Sequence, residues 1–148
     1  MAFVYELEYT VHSVIENLDD SGLPEGDPEI SITTAEGFFK SEDERSLITY
    51  TEMTEGGRVV TDITLDADSV RLSRRGAVVF DATFREGEVC KTLYSIPPYS
   101  FDAEIKTKKI RSDITKSGGD IRILYSMNIG GQEKSVRLKI SAKARARV

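Results

Sequence analysis

Two charged residues, Glu52 and Arg74, lie in stretches where apolar and polar residues alternate, and each occupies a position where an apolar residue is expected. Glu52 follows Ile48 and Tyr50 at every second position. Arg74 follows Leu72 in the same way. An ionised side chain in an apolar interior costs several kcal/mol unless it is paired. We therefore predict that Glu52 and Arg74 form an internal ion pair or hold a polar ligand.

Tyrosine side chains share the predicted interior with this pair. They add aromatic bulk with a polar tip, which suits either a filled core or the wall of a cavity for one small ligand. An alternative is an enzyme with Glu52 as its acid or base, which requires a second titratable group within reach. No residue is assigned a catalytic role. The residues predicted to contact a small-molecule ligand or a protein partner are Tyr50, Glu52, Arg74, Tyr94 and Tyr125.

The common signatures of cofactor and metal chemistry are missing from the sequence. It has no Gly-rich loop ending in Lys-Ser/Thr and no Gly-X-Gly-X-X-Gly, His-Glu-X-X-His, Cys-X-X-Cys or Gly-X-Ser-X-Gly motif. One histidine, His12, and one cysteine, Cys90, are too few for a Cys/His zinc site. We predict that His12 is an ordinary surface residue and that Cys90 is a small buried side chain. The sequence therefore predicts neither a cofactor nor a bound metal.

A row of basic residues along the C-terminal stretch is the second candidate for function. Alternation places these residues opposite the apolar face, where regularly spaced cations could contact phosphates. The chain would then be a nucleic-acid or protein interaction module. The sequence pI of about 5.0 and the scarcity of interleaved aromatic residues make nucleic acid the less favoured partner. The residues of this predicted basic surface are Arg137, Lys139, Lys143, Arg145 and Arg147.

All of these side chains must be positioned by β-strands, because period-2 alternation dominates the chain. No stretch shows the sustained i, i+3, i+4, i+7 spacing of an amphipathic helix. The first strand is predicted from Tyr5 to Ile15, and an acidic loop with proline and glycine follows at residues 18–29. Later strands are predicted at residues 30–40, 46–54, 59–66, 69–74, 77–84, 89–96, 100–108, 110–116, 120–129 and 132–142.

About ten antiparallel strands without a helix must bury their apolar faces against one another. This predicts an all-β, up-and-down barrel of about 8–10 strands, whose closure removes exposed strand edges. The first and last strands of such a barrel are neighbours, so Glu6 and Glu8 would lie beside the basic row. The charge distribution agrees, since residues 1–57 hold 2 basic and 14 acidic side chains while residues 58–148 hold 18 and 11.

The glycine pair at 130–131 predicts a two-residue hairpin turn of the primed type. Counting outward from this turn places Tyr125 opposite Val136 and Ile121 opposite Ile140. Apolar residues then face apolar residues on one side of the hairpin, as a buried face requires.

A second glycine pair, at 56–57, predicts another tight hairpin. Counting outward from it places Tyr50 opposite Ile63 and Glu52 opposite Thr61. This register puts Glu52 on the apolar face, in agreement with its position in the alternation.

The 148 residues have the length of one domain that forms a core without disulfides. Hydrophobic residues make up 39% and charged residues 30%, which is typical of a folded, soluble protein. The first residues lack the basic and apolar regions of a signal peptide, and no transmembrane run is present. We predict one cytoplasmic domain over residues 1–148, with a basic end at 143–148.

Several fragments together resemble the YwiB-like family of Gram-positive bacteria, a family of domains of unknown function. The resemblance implies a lipocalin-like (calycin) barrel and carries no established activity. Their order and spacing support it more than any single motif does. The matching fragments are Gly37-Phe38-Phe39-Lys40, Tyr50-Thr51-Glu52, Arg74-Arg75-Gly76-Ala77-Val78, Phe84, the segment from Tyr94 through Pro97 to Phe101, Thr107, and Leu124-Tyr125-Ser126-Met127-Asn128-Ile129-Gly130-Gly131.

Overall fold

The computed structural model describes residues 3–145, and this part of the chain forms ten β-strands and no helix. It accordingly contains no helix that is long and apolar enough to cross a membrane. The predicted all-β class is confirmed. The strands are β1 (Phe3–Asn17), β2 (Glu29–Glu42), β3 (Arg45–Thr54), β4 (Gly57–Leu65), β5 (Val70–Gly76), β6 (Val79–Phe84), β7 (Val89–Ile96), β8 (Tyr99–Ser112), β9 (Gly118–Ile129) and β10 (Gln132–Ala144).

Each strand pairs antiparallel with the next along the chain, and β1 pairs with β10 to close a barrel. The closing ladder runs from Leu7 opposite Ala144 to Asn17 opposite Lys134. Closure by the first and last strands was predicted from the number of antiparallel strands and is confirmed. A closed meander pairs the edges that an open sheet would leave free.

Ion pairs on the outer wall reinforce this closure. Lys143 Nζ lies 3.2 Å from a Glu8 carboxylate oxygen, and Arg145 reaches Glu6 at 3.5 Å. Because these pairs are exposed, each contributes only about 0.2–1 kcal/mol. The predicted position of Glu6 and Glu8 beside the basic row is confirmed, and these two residues contact Arg145 and Lys143 of that row. Arg147 lies outside the described residues.

One strand replaces two predicted strands, because residues 100–108 and 110–116 do not form separate elements. The structure has a single β8 from Tyr99 to Ser112, with a β-bulge between Thr107 and Lys109. A bulge adds one residue to a strand, so inward and outward positions exchange beyond it. In the sequence this break in the alternation looks like the turn between two separate strands.

The hairpin at residues 130–131 has the predicted register, with Tyr125 opposite Val136. The register at the other glycine pair is wrong by two residues, since Glu52 pairs with Val59 rather than Thr61. There the turn is centred one residue earlier, and Thr54 pairs directly with Gly57. Because the error is an even number of residues, Glu52 stays on the inner face.

The interior is packed at one end of the barrel and open at the other. Apolar side chains that are at most 1% exposed fill the packed end. The open end is the one at which β1 ends and β2 begins, and the loop between these strands lies there. That loop spans residues 18–28, one residue shorter than predicted, because Glu29 already belongs to β2. Five residues that fill the packed end are Leu7, Ile48, Phe84, Ile121 and Ile140.

Candidate ligand-binding site

A cavity of about 340 Å³ occupies the open end of the barrel. This volume lies at the lower limit of typical small-molecule pockets. Inward-facing residues of nearly all strands form its wall, because alternation sends every second side chain into the barrel. The structure brings together all five residues that were predicted to contact a ligand, and each lines this cavity: Tyr50, Glu52, Arg74, Tyr94 and Tyr125.

Glu52 and Arg74 approach each other in the wall of the cavity. Arg74 Nη2 lies 3.8 Å from Glu52 Oε1, which is an ionic contact longer than a hydrogen bond. Glu52 is 8% exposed, and the Arg74 side chain is 26% exposed. Thr33 Oγ1 donates a hydrogen bond of 2.7 Å to the other oxygen, Glu52 Oε2. The carboxylate is thus held on both sides, whereas the guanidinium faces the cavity.

A gap between β2 and β3 places Thr33 beside Glu52. Pairing of these two strands ends at Gly37 opposite Tyr50, and beyond it β2 continues without a ladder to β3. A Cβ atom at Gly37 would overlap the carbonyl oxygen of Thr49, so the close approach requires glycine. The Thr33 hydroxyl bridges the gap in place of backbone hydrogen bonds.

Buried tyrosines line and support the cavity as proton donors. Burial raises the pKa of Tyr125 to about 12, although the positive charge of Arg74 partly opposes this effect. Burial, followed by the negative charge of Glu52, also raises the pKa of Tyr50 above its ordinary value. Both phenols therefore keep their protons at neutral pH. The Tyr125 ring packs on Phe84 with centroids 4.8 Å apart, which joins the cavity to the packed end.

The mouth of the cavity combines charged and apolar groups. Glu29 of β2 and Lys134 of β10 line it on opposite sides of β1. The hairpin of β7 and β8 projects beyond the neighbouring β9, because β8 pairs with β9 only from Ala103 onward. Its projecting part exposes Tyr99 and Phe101 beside the open end.

Sequence reasoning missed several of the residues that line the cavity. Thr33, Lys134 and Phe80 all occupy inward-facing positions of their strands, so the alternation of residues could have predicted that they face the interior. What alternation could not show was the position along the barrel at which packing stops.

His12 and Cys90 lie away from the cavity wall. His12 is half-buried on the outer face of β1, opposite Lys139 of β10. Cys90 is a free, half-buried thiol near the start of β7. The described residues of the basic row lie on the outer wall and do not line the cavity. Lys134, on the same strand but outside the row, does line its mouth.

Comparison with known proteins places the chain in a family. The model of a family described as a domain of unknown function, DUF1934, matches residues 22–140. The uncharacterized β-barrel protein YwiB of Bacillus subtilis (strain 168) is 27% identical over 131 residues, which cover 87% of each chain. The crystal structure of the ywiB protein from Bacillus subtilis is similar with a TM-score of 0.83 and 25% identity, over 97% of this chain and 94% of that one. These matches confirm the predicted resemblance, and the chain belongs to the DUF1934 family.

Proposed function

We propose that this protein binds a small amphipathic molecule in the open end of its barrel. The observation that carries the proposal is the environment of Arg74, whose guanidinium borders the cavity and, within residues 3–145, makes one ionic contact, at 3.8 Å with Glu52. Arginine carries five N–H donors, and the partly exposed guanidinium of Arg74 can turn them toward acceptors in the cavity. A carboxylate, sulfonate or phosphate group on a ligand would supply those acceptors.

The rest of the wall supports an apolar body for this ligand. Phe80, Tyr94 and Tyr125 line the cavity together with aliphatic side chains of β1, β9 and β10. The exposed Tyr99 and Phe101 extend this apolar surface past the mouth. Binding pockets commonly combine such an apolar wall with a few polar groups that orient the ligand.

Binding is favoured over acid–base catalysis by the state of the groups beside Glu52. Tyr50 is protonated at neutral pH even at the ordinary tyrosine pKa of 10.0, and burial raises its pKa further, so its phenol can donate a hydrogen bond but cannot serve as a base. Glu52 is itself held by Thr33 and Arg74. We therefore place the enzyme alternative second.

A lipocalin-like role belongs to this proposal. Lipocalins are closed up-and-down barrels that hold one small ligand, and the closed meander seen here has the same general organisation. A cytoplasmic location is part of the proposal and agrees with a sequence that contains a single cysteine.

Titration with anilinonaphthalene sulfonate tests the proposal, because this fluorescent probe combines an aromatic body with one anionic group. We expect saturable binding with one probe per barrel. Arg74→Met should weaken it by about tenfold, the loss expected when a charge-assisted hydrogen bond disappears.

Two further variants locate the probe. Ser13→Phe fills the cavity from β1 and should abolish binding, whereas Thr10→Phe adds the same ring to the outer face of β1 and should leave binding unchanged. Equal binding by all four proteins, or no binding by the wild type, would contradict the proposal.

A further inference from the structure

A second, independent feature lies on the outer wall of the barrel, where cations line up across neighbouring strands. Arg111 of β8 pairs in register with Arg122 of β9, and Arg122 pairs in turn with Lys139 of β10. His12 of β1 stands opposite Lys139. We call this row and the cations beside it the transverse basic surface, which consists of His12, Lys109, Arg111, Arg122, Arg137 and Lys139.

The row is costly for the fold. Like charges directly opposite each other on adjacent strands destabilise a sheet. Arg122 gains some relief from Asp120, at 3.6 Å. Lys109, Arg111 and Lys139 form no ion pair with a carboxylate anywhere in residues 3–145. Their charges are left unmatched on a chain whose net charge is -5.

The contrast with the rest of β10 makes this pattern specific. Lys143 and Arg145 face acidic residues of β1 at 3.2 and 3.5 Å. Arg137 lies 3.5 Å from Glu16. The cations of β10 on both sides of Lys139 therefore have carboxylate partners. Lys139 instead lies in register with two further cations, Arg122 and Arg111.

The surface is a shallow cleft of about 780 Å³ with an apolar floor. Leu124 lies between Lys109 and Arg137 of the neighbouring strands, and Val14 lies on the other side of Arg137. At the β2 side of the surface, Ile30 and Ile32 are 63% and 65% exposed, and they stand opposite Val14 and His12. Cations surrounding apolar side chains suit a partner that alternates carboxylates with apolar groups.

We propose that the transverse basic surface docks an acidic segment of a protein partner that also carries apolar side chains. The cluster is bounded, because Glu16 lies beside Arg137 and Asp120 lies beside Arg122, and a long polyanion would meet their negative charges. No Phe, Tyr or Trp among the described residues lines the cleft, so these residues offer none of the large aromatic rings on which single-stranded nucleic acid stacks. The apolar floor would contribute nothing to contacts with a phosphate backbone.

The test uses two synthetic peptides of equal charge, one of Glu-Glu-Leu repeats and one of Glu-Glu-Ser repeats, titrated against the full-length protein at low ionic strength. The leucine peptide should bind more tightly than the serine peptide, and added salt should weaken both. Arg111→Glu with Lys139→Glu should reduce binding by about tenfold or more.

The control carries the same change in net charge on the opposite side of the barrel, with Arg58→Glu and Arg71→Glu. These exposed residues of β4 and β5 form no ion pair among the described residues, and their replacement should leave peptide binding unchanged. Circular dichroism melting checks that both double variants fold. The milder Arg111→Gln with Lys139→Gln replaces the first pair if reversal prevents folding.

Duplex DNA and vesicles of anionic phospholipid are titrated in parallel. If either binds more tightly than the leucine peptide and loses affinity in the Arg111 and Lys139 variant, the partner class is wrong. Equal effects of both double variants, or no peptide binding at low ionic strength, overturn the docking surface itself. Because the cavity residues are unchanged throughout, these outcomes are independent of the proposed ligand site.

Discussion

Arg74 and Glu52 meet inside the barrel with 3.8 Å between Nη2 and Oε1, close enough to attract and too far apart to share a hydrogen bond. The carboxylate is satisfied by Thr33 instead. Glu52 therefore has both a counter-charge and a hydrogen bond. Arg74 has a counter-charge, but its side chain makes no hydrogen bond to another side chain within residues 3–145. That difference is the structural basis of the proposed ligand site.

Replacing Glu52 should destabilise the fold because Arg74 would then lack its counter-charge. We expect Glu52→Gln to lower the free energy of unfolding by about 1–2 kcal/mol, less than for a fully buried pair because Arg74 is partly solvated. Urea denaturation measures this value. The double variant Glu52→Gln with Arg74→Met should lose less than the sum of the single variants, and strict additivity would show that the two charges do not interact.

Gly37 should tolerate no side chain. Gly37→Ala places a Cβ against the Thr49 carbonyl oxygen, and we expect a loss of about 1–3 kcal/mol as the strands separate. Gly56→Ala is the matched control, since its Cβ would meet Ala77 Cβ at 3.6 Å and Thr54 Oγ1 at 3.9 Å, which are both ordinary contacts. Equal unfolding free energies for the two variants would show that β2 and β3 need no close approach here.

Two lysines of β10 should respond to neutralisation with opposite signs. Lys139→Gln relieves repulsion within the transverse basic surface and should stabilise the fold by about 0.2–1 kcal/mol at low salt. Lys143→Gln breaks the pair with Glu8 and should destabilise it by a similar amount. Thermal melting at low and high salt tests both, because screening should shrink each effect. If the melting temperature changed in the same direction in both variants, Lys139 and Lys143 would not differ in their charged neighbours as the structure shows.

The barrel should lose stability at alkaline pH through its buried tyrosines. Above pH 10.0, the ordinary pKa of tyrosine, the unfolded chain releases phenolic protons while folded Tyr125 keeps its own until about pH 12. Tyr9 and Tyr50 act in the same direction because their pKa values are also raised. Stability is therefore complete below pH 10.0 and falls as the pH rises through this window.

Urea denaturation at several pH values, with tyrosinate absorbance followed in parallel, measures this loss. Tyr125→Phe removes one of the ionising groups and should show a smaller decrease on the alkaline side. An identical decrease in the variant would mean that Tyr125 is not protected from ionisation in the folded state.

The alternation of residues was sufficient to predict the barrel, its closure and the inward direction of Glu52 and Arg74. It failed at Thr107 and Lys109, where the bulge changes the phase within one strand. It also could not show that Thr33 reaches Glu52, because that contact depends on the separation of two strands beyond Gly37. Local periodicity determines which face a residue occupies, whereas the space between strands is decided by packing of distant side chains.

Native mass spectrometry tests the central claim, that the open end holds a small amphipathic molecule, most directly. The protein is purified without denaturant from the cells that naturally make it, and its mass is compared before and after denaturation. We predict an added mass of one small molecule that denaturation releases and that is absent from the Ser13→Phe variant, while Thr10→Phe retains it. An unmodified mass for the wild type, or an adduct retained by Ser13→Phe, would contradict the account.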